Sequence, residues 1–134
     1  MIVVDASAVV AILLGEPEAA DFTARLRDEP NQRVISSVNY WEVLARAEVA
    51  KGEIGRLEAE SLLQALRIEV LPVDAALTRL AIEAFVRFGR RTPAKLNLGD
   101  CFAYALARTH GDGVLLYKGD DFTRTDLRSA LKEA

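Results

Sequence analysis

The chain has 134 residues, a formal net charge of −3 and a hydrophobic content of 51%. This length suits one domain with its own core, which we expect to span residues 1–134, and the hydrophobic content excludes a disordered protein. The acidic balance excludes a protein that binds nucleic acid through bulk positive charge. The single cysteine, Cys101, excludes an intramolecular disulfide and favours a reducing compartment.

The N-terminal residues indicate neither a targeting leader nor a membrane anchor. They carry no basic segment, and Asp5 interrupts the opening apolar run almost at once. No apolar stretch approaches the roughly 18 residues that span a bilayer. We therefore expect a soluble, cytoplasmic protein with no membrane contact.

Short β-branched runs alternate with helical segments along the first half of the chain. Ile2–Val4 and Val34–Ser36 are compact runs that predict buried strands. Gly15 and Gly52 end two predicted helices, and Pro17 fits the first turn of another. The predicted elements are a strand at 2–4, helices at 8–14 and 16–28, a strand at 34–36, and a helix from a cap at Ser36, Ser37 or Asn39 to Lys51.

The second half continues this alternation. Asp74 and Asn97 are favoured N-cap residues in front of apolar periodic segments, and Gly111 follows the second segment. The predicted elements are a helix at 57–67, a strand at 68–73, a helix at 75–88, a basic loop at 89–95, a helix at 98–109, a strand at 114–117 and a short helix at 126–134. The pattern predicts an α/β fold with a mainly parallel sheet of four or five short strands flanked by helices.

Acidic residues follow or adjoin the predicted strands. Asp5 follows the first strand, Asp120 and Asp121 follow the fourth, Glu42 lies in the helix after the second, and Asp100 opens the helix before the fourth. The carboxyl ends of parallel strands share one edge of the sheet, so we expect these acids to converge there. Clustered carboxylates repel unless a divalent cation such as Mg²⁺ neutralises them. Such a site favours a phosphodiester substrate.

Each acid also has a purely structural interpretation. Asp5 suits a helix N-cap, Asp100 suits the N-terminus of a helix dipole, and Asp120–Asp121 suits a turn. Glu42 and Arg46 have the i,i+4 spacing of a surface ion pair. Only the joint placement of the acids therefore supports a functional site.

Other catalytic classes lack the residues they require. His110 is the only histidine, which excludes a ribonuclease with two catalytic histidines, and neither a Gly-x-Ser-x-Gly elbow nor a phosphate-binding glycine loop occurs. A receiver-like phosphoacceptor domain is an alternative that resembles this chain in Asp5 and Lys118. A receiver, however, needs an aspartate at a strand end near mid-chain, and the residues around Ala50 are a helical run without one.

Two further groups bear on substrate handling. Arg87, Arg90, Arg91 and Lys95 form a local basic stretch, which is either an RNA-contacting rim or an ordinary solvated loop. Trp41, together with Tyr40, falls on the broad apolar side of its helix. That position favours a core or partner interface over base stacking.

Three stretches of the chain resemble the motifs of one protein family, the PIN-domain family, and within it the VapC-type toxins of bacterial toxin–antitoxin pairs. These stretches are Met1–Ala8, Asn97–Ala105 and Leu115–Phe122, and the segment from Ser37 to Glu42 fits the part that bears the family's glutamate. The resemblance covers essentially the whole chain. One departure is Ala6, where the family commonly has threonine, although Ser7 is retained and can orient a carboxylate.

The resemblance implies an Mg²⁺- or Mn²⁺-dependent endoribonuclease toxin whose metal site includes Asp5, Glu42 and Asp100. The fourth acid falls at Asp120 or Asp121. We expect Asp5 and Asp100 to be the direct metal ligands. The resemblance also implies an RNA substrate, a cognate antitoxin, and a homodimer or a larger hetero-oligomer with that antitoxin. A PIN-like module that binds without cutting remains an alternative.

Overall fold

The computed structural model describes the backbone of residues 1–133 and the side chains of residues 1–131. These residues form five strands and five α-helices, and a 3₁₀ helix follows the last strand. In chain order the elements are β1 Ile2–Val4, α1 Ala6–Leu13, α2 Ala19–Arg27, β2 Arg33–Ser36, α3 Ser37–Ala65, β3 Ile68–Leu71, α4 Ala75–Phe88, α5 Leu98–His110, β4 Val114–Leu116, β5 Arg128–Ser129 and the 3₁₀ helix Ala130–Glu133.

The five strands form one sheet in the order β3-β2-β1-β4-β5, and every pairing is parallel. This architecture confirms the predicted α/β fold. From β1 the chain builds the sheet outward through β2 and β3, and it later adds β4 and β5 on the other side of β1. The order of the strands therefore reverses between β1 and β4, the place where open α/β sheets bind ligands.

The sheet separates two hydrophobic clusters, and β1 supplies residues to both. Ile2 and Val4 belong to a cluster with α1, α2 and α3, whereas Val3 belongs to a cluster with α4 and α5. This division follows from the two-residue period of a strand, which sends successive side chains to opposite faces. All three side chains are buried, so β1 and the loop that follows it are anchored from both sides.

Side-chain caps fix the beginnings of the helices near the carboxyl edge. The Asp74 carboxylate accepts from Leu77 N–H at 2.8 Å, and α4 spans the predicted residues. The start of α1 is two residues earlier than predicted, because Asp5 itself caps the helix. By contrast α2 starts later than the predicted Glu16, since residues 16–18 form a turn in which Ala19 N–H donates to Glu16 C=O at 2.9 Å.

The helix α3 is folded back on itself at Gly52, whose φ of 64° and ψ of −147° are not helical. Tyr40 donates a hydrogen bond to Glu60, although residues 20 apart in a straight helix lie about 30 Å apart. The two halves therefore form a helical hairpin. The predicted end at Gly52 is correct, but the second half begins directly after it rather than at Leu57.

The predicted helix at 126–134 is wrong for the residues that the structure describes; Ala134 lies outside them. Arg128 and Ser129 instead pair with Val114 and Leu115 as the parallel edge strand β5, and a 3₁₀ helix follows. Pairing satisfies backbone groups that the edge of β4 would otherwise expose. Ala130 is fully buried beside this strand, so tertiary packing overrides the local helical preference.

Within residues 1–133, none of the helices is both long enough and apolar enough to cross a membrane.

Candidate active site

A cavity of about 290 Å³ opens at the carboxyl edge of the sheet, beside the point where the strand order reverses. Four carboxylates from four distant segments line it, namely Asp5, Glu42, Asp100 and Asp121. Asp5 comes from the end of β1, Glu42 from α3, Asp100 from α5 and Asp121 from the loop after β4. The structure thus brings together acids that are spread over most of the sequence.

The two acids after β4 have different surroundings. Asp121 lines the cavity, and its negative charge helps to raise the pKa of both Asp5 and Asp100. Asp120 does not line the cavity. Its carbonyl accepts hydrogen bonds from the amide and the hydroxyl of Thr123 at 3.1 and 2.7 Å, so it forms the turn that presents Asp121.

Asp5 is buried and held by its neighbour Ser7. Asp5 Oδ2 accepts hydrogen bonds from the backbone amide of Ser7 at 3.1 Å and from its hydroxyl at 2.5 Å. The same Ser7 Oγ accepts from the amide of Lys118 at 3.0 Å, which ties the end of β1 to the loop after β4. The pKa of Asp5 is raised to about 6, mainly by burial and to a smaller extent by the charges of Glu42 and Asp121, which together outweigh the opposing hydrogen bonds from Ser7.

Asp100 occupies the first turn of α5 and belongs to a reciprocal cap. The Asn97 side chain accepts from Asp100 N–H at 2.9 Å, and Asp100 Oδ2 accepts from Asn97 N–H at 3.1 Å. The structural and functional interpretations of Asp100 are therefore compatible. Burial is the main cause that raises the pKa of Asp100 to about 7, and Asp5, Asp121 and Glu42 add to it by charge repulsion.

Glu42 is oriented by Asn39, which the sequence analysis considered only as a helix cap. The fully buried Asn39 side-chain amide donates to Glu42 Oε1 at 2.7 Å and to the carbonyl of Gly99 at 3.0 Å. Ser36 Oγ donates in turn to Asn39 Oδ1 at 2.6 Å. This chain of bonds joins the end of β2 to the start of α5, and burial raises the pKa of Glu42.

Gly99 allows the Glu42 carboxylate to approach the start of α5. A Cβ atom at Gly99 would lie 2.3 to 2.5 Å from both oxygens and the carboxyl carbon of Glu42. Neither Asn39 nor Gly99 was expected from the sequence to contact the candidate site. The i,i+3 spacing of Asn39 and Glu42 could have predicted the contact between these two side chains. The contact of Gly99 with Glu42 joins residues 57 positions apart, so no local sequence pattern predicts it.

The donor set fits a hydrated, oxygen-preferring divalent cation. Among the side chains of residues 1–131, no three His, Cys, Asp or Glu are arranged closely enough to hold a metal unaided. Mg²⁺ does not need three, because it commonly uses one or two carboxylates and keeps several waters. Asp5 and Asp100 are the two most deeply buried acids of the cavity, and burial is the main cause of their raised pKa values, so a cation held by both would offset the cost of keeping them ionised.

The basic stretch does not form one continuous rim at the cavity. Arg87 lies in α4 rather than in the loop, 3.9 Å from the carboxylate of Asp126 and over the Phe88 ring at 4.7 Å. Arg90 lines a groove that adjoins the cavity through Asn97, which lines both. Arg91 and Lys95 are exposed, and neither lines the carboxylate cavity.

Trp41 is not a core residue, so that part of the expectation is wrong. Its side chain is 68% exposed and lines the carboxylate cavity, whereas the adjacent Tyr40 packs against the core. A helix advances by about 100° per residue, so neighbours on the wheel can face different surroundings. Trp41 points to the same cavity as Ala45 and Arg46, four and five residues later on α3.

Residues 2–127 match the family model described as PIN domain. The VapC ribonuclease Mb2780c of Mycobacterium bovis is 44% identical over 131 residues, which cover 96% of this chain and 98% of that protein. The VapC ribonuclease R02377 of Rhizobium meliloti is 37% identical over 139 residues, with coverages of 92% and 97%.

The same fold occurs in a solved structure of Mycobacterium tuberculosis VapC20, which is described as a sarcin-ricin loop cleaving toxin. It aligns with a TM-score of 0.75 and 20% identity, over 96% of this chain and 99% of that one. At this identity the likeness concerns the fold. Because the family model spans nearly the whole sequence and relatives of similar length align throughout, the resemblance drawn from the motifs is confirmed, and the chain belongs to the PIN domain family.

Proposed function

We propose that this chain is a divalent-metal-dependent endoribonuclease that hydrolyses RNA phosphodiester bonds as the toxin of a toxin–antitoxin pair. The observation that carries the proposal is the convergence of four carboxylates from distant segments in one cavity, where two have pKa values of about 6 and 7. Clustered carboxyl groups with strongly raised pKa values are typical of functional sites. The names of the relatives, VapC ribonucleases, support RNA as the substrate.

Asp5 and Asp100 would hold the cation, with Mg²⁺ as the first candidate and Mn²⁺ as the second. When bound, the cation supplies charge that offsets the phosphate and lowers the pKa of water at the site. Ser7 fixes the carboxylate of Asp5, and the amide of Asn97 fixes that of Asp100, so both oxygen donors are oriented before substrate arrives. This preorganisation lowers the cost of assembling the site.

Glu42 and Asp121 would act on water and phosphate from the remaining walls of the cavity. Asn39 holds one oxygen of Glu42, and the turn at Asp120 presents Asp121, so both carboxylates are directed to the same space. Their oxygens accept hydrogen bonds from a water molecule and orient it for attack on phosphorus. As the water attacks, one of these carboxylates takes its proton, a new P–O bond forms, and the bond to the leaving ribose oxygen breaks, with that oxygen taking a proton from solvent water.

The test is cleavage of RNA by the purified protein in Mg²⁺ or Mn²⁺, repeated with a chelator and with Asp5→Ala and Asp100→Ala. We expect cleavage to stop with the chelator and to fall at least about 100-fold in both variants, because each removes an oriented ligand. Asp21→Asn, on the exposed surface of α2, is the matched control and should cleave normally. Undiminished cleavage by both alanine variants would exclude the assignment.

A PIN-like module that binds without cutting differs from this proposal in its metal chemistry. Calorimetric titration with Mg²⁺ separates the two functions, since a binding module has no need of the carboxylate cluster. We expect saturable binding that Asp100→Ala weakens. A receiver-like phosphoacceptor has less support, because β2 and β3 end at Ser36 and Leu71 and offer no aspartate for phosphorylation.

A groove between α1 and the second half of α3 is the surface that we expect to bind the antitoxin. Ile12, Leu13, Leu57 and Leu62 line it and leave apolar surface at the solvent. Phe22 of α2 is buried in the core and adds nothing to this surface. Co-elution of the chain with the product of the neighbouring gene in size-exclusion chromatography tests the partner. The proposal places both proteins in the cytoplasm, with their RNA substrate.

A homodimer has separate support in α4, where the side chains of Ile82, Phe85 and Val86 are 57%, 43% and 74% exposed. Exposed apolar residues grouped on one helix are typical of interfaces. Sedimentation of the purified chain over a range of concentrations tests this state. Ile82→Glu should shift the equilibrium to the monomer if α4 forms the contact.

A further inference from the structure

Two side chains on the cavity wall formed by α3 have no role in the proposed hydrolysis. Trp41 is 68% exposed there, which is unusual for so large an apolar surface. Arg46 is also exposed and lines the same cavity, where its positive charge offsets part of the rise that burial causes in the pKa of Glu42. Both residues flank Glu42 on the helix, so they lie beside the carboxylates.

The chemistry of these two side chains complements single-stranded RNA. An exposed indole stacks on a nucleobase, and proteins that read unpaired RNA bases use aromatic side chains in this way. A guanidinium pairs with a phosphate oxygen through two parallel hydrogen bonds. In a nucleotide the base and its phosphate are separated by only one sugar. Because Trp41 and Arg46 line the same cavity, one short stretch of RNA can contact both side chains.

We propose that Trp41 and Arg46 form a substrate-binding wall, in which a base of single-stranded RNA stacks on the indole and a neighbouring phosphate pairs with the guanidinium. This inference rests on the proposed ribonuclease function, since it identifies how the same site holds its substrate. It also predicts a preference for unpaired RNA, because a base within a duplex cannot reach a side chain at the cavity wall.

Charge and position favour RNA over an apolar protein segment at this wall. The apolar surface of Trp41 is bordered by Glu42 and Arg46 rather than by other large hydrophobic residues, and it continues directly into the acidic cavity. An apolar peptide would leave these charges without partners, which is costly when they are buried. A nucleotide supplies a flat apolar face and a negative charge together.

Trp41 is the only tryptophan of the chain, so fluorescence excited selectively at tryptophan reports on this wall. The experiment titrates single-stranded oligoadenylate and oligouridylate, in Mg²⁺, into the full chain that carries Asp100→Asn to prevent cleavage. We expect quenching of the fluorescence on binding. An abasic strand of the same length should bind more weakly and leave the fluorescence nearly unchanged, because it has no base to stack.

Substitutions at the wall separate the two contacts. In the same background, Trp41→Ala should raise the Kd for RNA by about 5- to 100-fold, and Trp41→Phe should restore most of the affinity. Arg46→Gln should reduce the dependence of log Kd on log salt by about one unit of slope. The matched controls are Val49→Ala, elsewhere on α3, and Arg27→Gln, at the end of α2, and neither should change the affinity or the slope.

The outcomes distinguish this inference from the function on which it rests. If the chain neither binds nor cleaves RNA, both the function and the wall are wrong. If the chain cleaves RNA and Trp41→Ala does so with unchanged KM and kcat, the wall alone is wrong. Quenching by an apolar peptide but not by RNA also overturns the proposal and assigns Trp41 to a protein interface.

Discussion

Asp100 shows how one residue can serve the fold and the site together, and at what cost. Its carboxylate closes the cap of α5, yet burial, with smaller contributions from three neighbouring acids, raises its pKa to about 7. A raised pKa in a carboxyl group means that the folded state prefers the protonated form more than the unfolded state does. The stabilisation by this proton is complete below about pH 4 and is lost as the pH rises through about 7.

Because keeping the buried Asp100 carboxylate ionised costs free energy, we expect Asp100→Asn to stabilise the metal-free protein at alkaline pH. The asparagine oxygen can still accept from Asn97 N–H, but the side chain carries no buried negative charge to be opposed by Asp5, Asp121 and Glu42. In a chelator at pH 8 we expect unfolding to require about 1–3 kcal/mol more than in the wild type, and at pH 4 we expect little difference. Denaturant titrations at the two pH values measure this change.

Asp21→Asn is the control for that measurement, because Asp21 is exposed on α2 and its substitution should not produce the pH dependence. An Asp100→Asn protein that is less stable than the wild type at pH 8 would show that the cap outweighs the repulsion.

Gly99 makes a second prediction at the level of single residues. A methyl group there would collide with the Glu42 carboxylate, which can move away because it is the end of a flexible side chain. Gly99→Ala should therefore leave stability unchanged or raise it by up to about 1 kcal/mol, as alanine does in helices, while RNA cleavage falls about 10-fold or more. Thermal unfolding and a cleavage assay on the same preparation measure both effects.

A double-mutant cycle identifies the cause of the loss. In a Glu42→Ala background, Gly99→Ala should have little further effect on cleavage, because the side chain that it displaces is gone. If Gly99→Ala reduces RNA cleavage equally with and without the Glu42 side chain, the effect of Gly99 does not depend on Glu42.

Among the elements, those with strong local signals were predictable and those that depend on distant contacts were not. The caps at Asp74 and Asn97 locate α4 and α5 to within one residue, because a side-chain cap is a local interaction. The edge strand β5 forms only by pairing with β4, some 14 residues earlier, whereas its local sequence predicts a helix. Trp41 was misassigned for a related reason, since a helical wheel cannot show where the neighbouring elements end.

The fold-back of α3 depends on Gly52, whose backbone angles are nearly restricted to glycine. Gly52→Ala should lower the free energy of unfolding by about 1–3 kcal/mol, because any Cβ is strained there. Lys51→Ala removes the exposed ion pair with Glu58 beside the same turn and should cost less than about 1 kcal/mol. Chemical denaturation compares the two variants, and an equal or larger effect of Lys51→Ala would contradict this account of the turn.

At the level of the whole molecule, the sheet topology creates the cavity that the four carboxylates line. The reversal of strand order beside β1 leaves a gap at the carboxyl edge, and α3, α5 and the loop after β4 each direct an acid into it. The sequence predicted this convergence because strand ends and helix starts are visible locally. It could not choose between Asp120 and Asp121, since that choice depends on the turn that places only Asp121 at the cavity.

Protons and the cation should compete for this cavity. Asp5 and Asp100, with pKa values of about 6 and 7, are largely protonated at pH 5.5 and largely ionised at pH 8. We therefore expect calorimetry to show Mg²⁺ binding at least about 10-fold tighter at pH 8, with more protons released near pH 6.5 than at pH 8. An affinity that does not change between the two values would mean that these carboxylates are not the ligands.

The central claim is that the acid cluster cleaves RNA with the help of a divalent cation. The most direct test is the rate of RNA cleavage by the purified chain in Mg²⁺, in chelator, and in Mg²⁺ with Asp5→Asn or Asp100→Asn, which keep the size of each side chain. We predict cleavage in Mg²⁺ only, and a loss of at least about 100-fold in each variant. Cleavage that survives the chelator, or that both variants retain, would contradict the account.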